Sequence, residues 1–195
     1  MKRHLVHATY VLGLAVALLG ACGGDDSDHN AQDVNFARKM VPHHQQAITM
    51  SDLALSRSTD PQVQGLATRI KAAQGAEISL MQGWLKSWGA QTGGGGDHGG
   101  HGMGGGMGDG GERMPGMVSG PGMAALGSAS GAEFDRLFLQ AMTDHHKGAL
   151  DMANVQLRDG KFAPAMQLAR QIITSQEKEI AEMEQLLSSV PAAAP

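Results

Sequence analysis

The sequence predicts an all-α protein, an up-down-up-down four-helix bundle formed by two copies of one helical hairpin. Three observations carry this. The chain repeats at a constant offset of 102 residues, without a gap, across a whole hairpin. Within each copy the apolar residues recur at helical spacing, and strand signals are nearly absent. Between the copies lies a stretch, 89–131, that holds 19 of the chain's 28 glycines.

The repeat is dense. It aligns Asp33 with Asp135, Phe36 with Phe138, Met40 with Met142 and His43-His44 with His145-His146. It continues through Ala47 and Ala149, Met50 and Met152, Leu66-Ala67 and Leu168-Ala169, and Ile70 and Ile172. It closes on Gln74 and Gln176, Glu77-Ile78 and Glu179-Ile180, and Met81 and Met183. Each copy therefore carries Met-x-x-His-His-x-x-Ala-x-x-Met on its first helix.

Each copy reads as two helices. Phe36, Met40, Ala47, Met50 and Ala54 make one stripe; Val63, Ala67, Ile70, Met81, Leu85 and Trp88 make the next. Between them Ser58-Thr59-Asp60-Pro61 is a stop and restart, with Asp60 as N-cap and Pro61 at the first helical position. In the second copy Asp159-Gly160 ends one helix and Pro164 lies in the first turn of the next. The hairpins span 33–88 and 132–190 and form one domain, 33–190. Together they comprise about 115 residues, enough for a single core. Residues 89–131 read as a disordered linker, because such a composition cannot offset its ordering entropy by apolar burial. In an up-down-up-down bundle that linker starts and ends at the same end. Residues 191–195 read as an unstructured tail.

The first residues set the compartment. Lys2 and Arg3 precede a short apolar run from Val11 to Leu19, then Leu19-Gly20-Ala21-Cys22. That is a secretory signal, 1–21, with a run too short to span a bilayer. Cys22 is the only cysteine and sits where a lipobox needs it. This end resembles bacterial lipoproteins, in which that cysteine is acylated. The resemblance implies an extracytoplasmic, membrane-anchored protein, in the periplasm or at the cell surface, with 22–32 as its tether.

The mature chain has no other thiol, so any soft-metal chemistry must use Met and His. Loss of Lys2 and Arg3 moves the formal charge from −4 to −6. That speaks against nucleic acid as a partner and favours a cation.

Three constellations carry chemistry. The first is His43 and His44 with Met40, and the copy His145 and His146 with Met142. On a helical wheel His43 falls about 40° to one side of the apolar stripe and His44 about 60° to the other. Imidazole and thioether together suit copper, Cu(I) especially. The second is Glu77 and Glu179, on the core stripe with Gln74 and Gln176. A carboxylate there needs a partner. Folding the first hairpin at Asp60 brings His43 level with Glu77, and the second hairpin brings His145 level with Glu179. These residues read as a metal site, or as a hydrogen-bonded layer that fixes helix register. The two His pairs meet either within one chain or across a homo-oligomer. Met50, Met81, Met152 and Met183 read as core packing. The third constellation is the linker's His98, His101, Met103, Met107, Met114, Met117 and Met123, a secondary metal tract or drifted low-complexity sequence.

At the doubled motif the chain resembles the DUF305 family. The resemblance covers both hairpins, through Asp33, Phe36, Met40, His43, His44, Ala47, Met50, Gln74, Glu77, Ile78 and Met81 and the second copy of each. It implies a ferritin-like helical fold. Members similar to the copper-binding protein CopM imply copper binding and resistance. The glycine-methionine linker lies outside the shared motif.

The function expected is therefore a non-enzymatic cell-envelope metal binder, for copper or another divalent metal, acting in homeostasis or resistance. A structural or interaction module with a buried His–Glu layer is the alternative. A di-iron oxidase needs Glu-x-x-His pairs, and the sequence has none. Nor does it hold a Ser-His-Asp pattern, a phosphate loop or a nucleotide fingerprint.

Overall fold

The computed structural model describes residues 27–90 and 114–191. The signal segment, Cys22, His98, His101, Met103 and Met107 lie outside the described residues. Among those described, the elements are α1 (Ala31–Arg57), α2 (Pro61–Ser87), α3 (Gly120–Ser128), α4 (Gly131–Asp159) and α5 (Ala163–Ser189). None is long and apolar enough to cross a membrane.

The helix boundaries follow local chemistry. Asn30 caps α1 by accepting from the backbone of Gln32 and Asp33, and Asp33 returns the bond to Asn30 at 2.8 Å. Asp60 caps α2, bonding Gln62 N at 2.7 Å, with Pro61 at the first position as expected. The start of α5 has no cap of its own. Asp33, from the other hairpin, accepts from the backbone of Lys161 and Phe162 and from the amide of Gln156 instead.

These bonds fix the packing. The start of α1 touches the end of α4, and Arg57 at the end of α1 bonds Ala129 just before α4 begins. So α1 and α4 lie face to face and antiparallel, each with its hairpin partner behind it. Arg69, early in α2, pairs with Glu182, late in α5, so these two are antiparallel as well. The bundle of two hairpins is as the sequence predicts, but the direction order is up, down, down, up. The expected alternation is corrected. A pseudo-two-fold axis across the helices relates the copies and demands this order. A long connection, unlike a short one, leaves either order open to the chain.

The connection between hairpins must consequently cross the bundle, a length of about 40 Å for a 27-residue helix. Trp88, at the end of α2, stacks on His29 at 4.5 Å and meets Phe162 edge-on at 5.2 Å. That is the end opposite to the start of α4. The described part of the return begins at residue 114. His43, Gln46 and Arg57 bond Pro115, Val118 and Ala129 respectively, so the segment climbs beside α1 at a constant offset of 72. It includes α3, capped by Ser119, with Leu126 only 2 % exposed in the core. The linker expected to be disordered over 89–131 is thus structured over 114–130. A few apolar side chains among the glycines suffice to dock it.

The core has two apolar clusters. One gathers Ala47, Met50, Leu66, Ile70, Phe134, Phe138 and Met142; the other gathers Phe36, Met40, Met81, Met152, Leu168 and Ile172. The pseudo-dyad exchanges them: Met40 and its copy Met142 fall in opposite clusters. Between them, at mid-bundle, lies a polar layer.

Candidate metal centre

The layer is built by the doubled motif. His43, His44, His145 and His146 are all fully buried. Within each copy the adjacent rings are 6.4 Å apart, centroid to centroid, pointing to different neighbours. His43 and His145 face each other across the α1–α4 contact, with centroids 3.7 Å apart and planes tilted by 33°. His44 turns back toward its own hairpin and meets Glu77, Nε2 to Oε2, at 2.6 Å. His146 meets Glu179 in the same way at 2.7 Å.

The sequence therefore placed the carboxylates at the right level but with the wrong histidine of each pair. Residue numbering about a turn fixes height along a hairpin. It does not fix direction around the helix. The 100° step from His43 to His44 turns one toward α4 and the other toward α2. Both carboxylates lie at the rim, with side chains 16 % and 18 % exposed.

Burial keeps the central pair neutral. The pKa of His43 is lowered to about 3, chiefly by desolvation and then by His44. That of His145 is lowered to about 2 by desolvation, then by His43, His146 and His44. A neutral imidazole carries one N–H and one lone pair. At three rings the N–H is assigned by its partner. His44 and His146 donate from Nε2 to Glu77 and Glu179. His43 donates from Nε2 to the carbonyl of Pro115 at 3.0 Å. The Nδ1 atoms of these three rings have no partner, nor has either nitrogen of His145. Both amide atoms of Gln74 and the Oε1 of Gln176 are likewise buried and unpartnered.

Buried imidazoles with one nitrogen held by a carboxylate or carbonyl and the other bare have the form of oriented metal ligands. The donors fit a soft ion, and Glu77 and Glu179 take the orienting position. Among the described residues no three His, Cys, Asp or Glu side chains gather around one point. The arrangement thus offers pairs, which suits ions that accept few ligands. Met40 and Met142 are fully buried, one in each apolar cluster flanking the layer. Met50, Met81, Met152 and Met183 pack in the core, as expected.

Of the linker residues, Met114 and Met117 are half-buried beside Pro115, and Met123 packs against the apolar cluster that includes Leu126. Sequence reasoning missed the Pro115 carbonyl and its supports, Gln46 and Gly148. The signal was present as a Pro-Gly dipeptide between two methionines, which marks a tight turn.

The sequence profile described as Domain of unknown function (DUF305) matches residues 33–187. Among solved structures, a DUF305 protein of Streptomyces coelicolor, by description a secreted one, is 33% identical with a TM-score of 0.70, covering 81% of this chain and 91% of that one. CopM in its Cu(II)-bound form is 31% identical with a TM-score of 0.64, covering 80% and 96%. CopM is also similar in Cu(I)-bound and silver-bound forms. Over 53 residues the chain is 42% identical to Uncharacterized protein L153 of Acanthamoeba polyphaga mimivirus, a match over 27% of this chain and 35% of that protein. It therefore spans about a third of that relative's length. The profile match embraces both hairpins and the mid-bundle layer between them, and the chain belongs to the DUF305 family.

Proposed function

We propose that this protein is a cell-envelope copper binder that sequesters the ion in metal homeostasis or resistance. The observation that carries the reading is the set of five buried imidazole nitrogens without a partner. An orphaned polar atom in a core costs about 1–3 kcal/mol, and a bound ion would offset that penalty. His43, His44, His145 and His146 are the principal donors. Met40 and Met142 are soft donors one turn away. Glu77 and Glu179 orient His44 and His146 and add negative charge near the cation. Similarity to CopM, a protein with Cu(I)-, Cu(II)- and silver-bound forms, supports the same choice of ion.

In this reading Cys22 carries the lipid that holds the protein outside the cytoplasm. His98, His101, Met103, Met107, Met114 and Met117 supply secondary donors. Changing Cys22 to Ala should release the protein from the membrane fraction. A variant that still fractionates with membranes argues against the anchor.

The test of the bundle site is thermal unfolding with Cu(I), Cu(II), Zn(II) or chelator, for wild type and for His43→Ala with His145→Ala. Copper should raise the wild-type midpoint by mass action, and the double variant should lose that rise. One observation favours the structural alternative: each His–Glu pair is a hydrogen bond within the protein, and among the described residues no three such donors converge. If no metal moves the wild-type midpoint, the layer is a register device and the copper reading falls.

A further inference from the structure

Two tryptophans, a phenylalanine and a histidine close one end of the bundle. Trp84 lies in the last turn of α2 and Trp88 caps its end, with ring centroids 6.2 Å apart. Phe162, just before α5, meets both edge-on, 5.6 Å from Trp84 and 5.2 Å from Trp88. His29, just before α1, stacks on Trp88 at 4.5 Å with planes 10° apart. Trp84, Trp88 and Phe162 are half-buried. Part of each ring packs on the apolar cluster that holds Met81 and Leu85, and part stays open to solvent.

The repeat supplies an internal control. The pseudo-dyad exchanges the two ends of the bundle. At the offset of 102, Trp84 corresponds to Leu186, Trp88 to Val190 and Phe162 to Asp60. The far end closes with these smaller side chains: Leu186 is 6 % exposed, and Val190 packs against the same cluster. Closing an end of this bundle therefore does not require aromatic rings. Their gathering at one end needs another cause.

That end is the one beside the N-terminal chain. Ser27 is pinned there, its carbonyl accepting from Lys161 Nζ at 2.6 Å. Cys22 stands five residues earlier. Five residues reach at most about 18 Å, whatever their conformation. The bundle is about 40 Å long. A lipid on Cys22 thus keeps the aromatic end near the bilayer and leaves the far end free to stand away from it. Tryptophan, with an apolar body and a polar N–H, is the side chain that settles at the headgroup level of a bilayer.

We infer that the Trp84–Trp88–Phe162 end is a membrane-contact face: it seats in the headgroup region and stands the bundle on its end. The inference rests on the lipid-anchor reading above and adds an orientation to it. His43 lies 12 residues beyond the start of α1. An upright bundle therefore holds the histidine layer about 18 Å above that face, clear of the headgroups and open to the aqueous side.

The sample is the acylated full chain, reconstituted in phosphatidylcholine vesicles, whose headgroups carry no net charge. Flotation reports whether the chain is anchored. Trp84 and Trp88 are the only tryptophans, so indole emission reports on this end alone. With a nitroxide placed high on the lipid acyl chains, that emission should fall about twofold, as for rings at the headgroup level. The far end needs its own probe. Cys22 is the only cysteine and its thiol is blocked by the lipid, so Leu55→Cys, at an exposed position in the last turn of α1, takes a thiol-reactive dye selectively. That dye should keep its emission in the same vesicles. Adding Trp84→Leu and Trp88→Val gives the near end the residues of the far one, and the dye should then become quenched as the bundle loses its stance. If that chain fails to fold, the first two measurements decide. A floating wild type whose tryptophans are not quenched would overturn the face and leave the anchor standing. Equal quenching of tryptophans and dye would overturn it too, since the bundle then lies on its side. So would a dye that stays bright without the tryptophans, which assigns the stance to the tether. A wild type that does not float with the vesicles would sink the anchor and the face together.

Discussion

The ring of His43 lies 3.7 Å from the ring of His145, its own copy in the second hairpin, with no water-exposed surface on either. Both rings are neutral in the folded protein for the same reason. Burial in this dry layer denies a charged ring its water, and the neighbouring imidazoles add to the penalty.

Stability should therefore depend on pH with a defined sign. In the unfolded chain both histidines take up a proton near pH 6.5; in the folded chain they do so only near 3 and 2. Below pH 6.5 the unfolded state binds more protons, so the stabilisation present above that pH is lost as pH falls toward the folded values. The loss is about 1.4 kcal/mol per pH unit for each of the two residues. Urea midpoints measured from pH 7 to pH 4 should fall accordingly, and a flat profile would contradict the buried neutral pair.

The role of the carboxylates can be separated from that of the rings. Glu77→Gln together with Glu179→Gln keeps the shape and removes the charge. Helical content should be unchanged and Cu(I) affinity should drop 10- to 100-fold, the usual loss for a group that orients a ligand. Competition titration against a Cu(I) chelator measures it. Complete loss of binding would make the carboxylates ligands; no change would leave them only structural.

Two residues related by the repeat should behave differently. Asp33 is buried with a set of partners: the backbone of Lys161, Phe162 and Asn30 and the amide of Gln156. Removing its carboxylate in Asp33→Ala strands those donors and should cost about 3 kcal/mol. Asp135 is buried with Oδ1 unpartnered, and burial raises its pKa despite help from Ser58. Asp135→Asn should change stability by less than about 1 kcal/mol. Chemical denaturation of both variants checks the contrast, and equal losses would contradict it.

The segment before α4 belongs to the core. Leu126→Ala should destabilise by about 3 kcal/mol, as for other fully buried leucines. A mutation in an unstructured linker would cost nothing. The unfolding midpoint decides between these outcomes.

Much of this protein is local in origin and so was legible one residue at a time. Helical period, the Asp60-Pro61 restart and the gapless copy of His43-His44 in His145-His146 need no tertiary information. They establish helices, duplication and a polar layer at mid-bundle, because spacing along a helix fixes which residues share a face and which share a height. What remained open was everything set by contact between distant segments. The direction of the second hairpin followed from Asp33 bonding Lys161 and Phe162, since a long connection imposes no direction of its own. Which histidine of each pair met Glu77 or Glu179 depended on the azimuth at which α1 faces α4 rather than α2. Composition marked residues 114–130 as unable to order themselves, which holds for the segment in isolation. Docked on α1 and α4, it gains the burial of Leu126, two hydrogen bonds between Gln46 and Val118 and the close approach of Pro115 to Gly148, and these make the order that its own glycines could not.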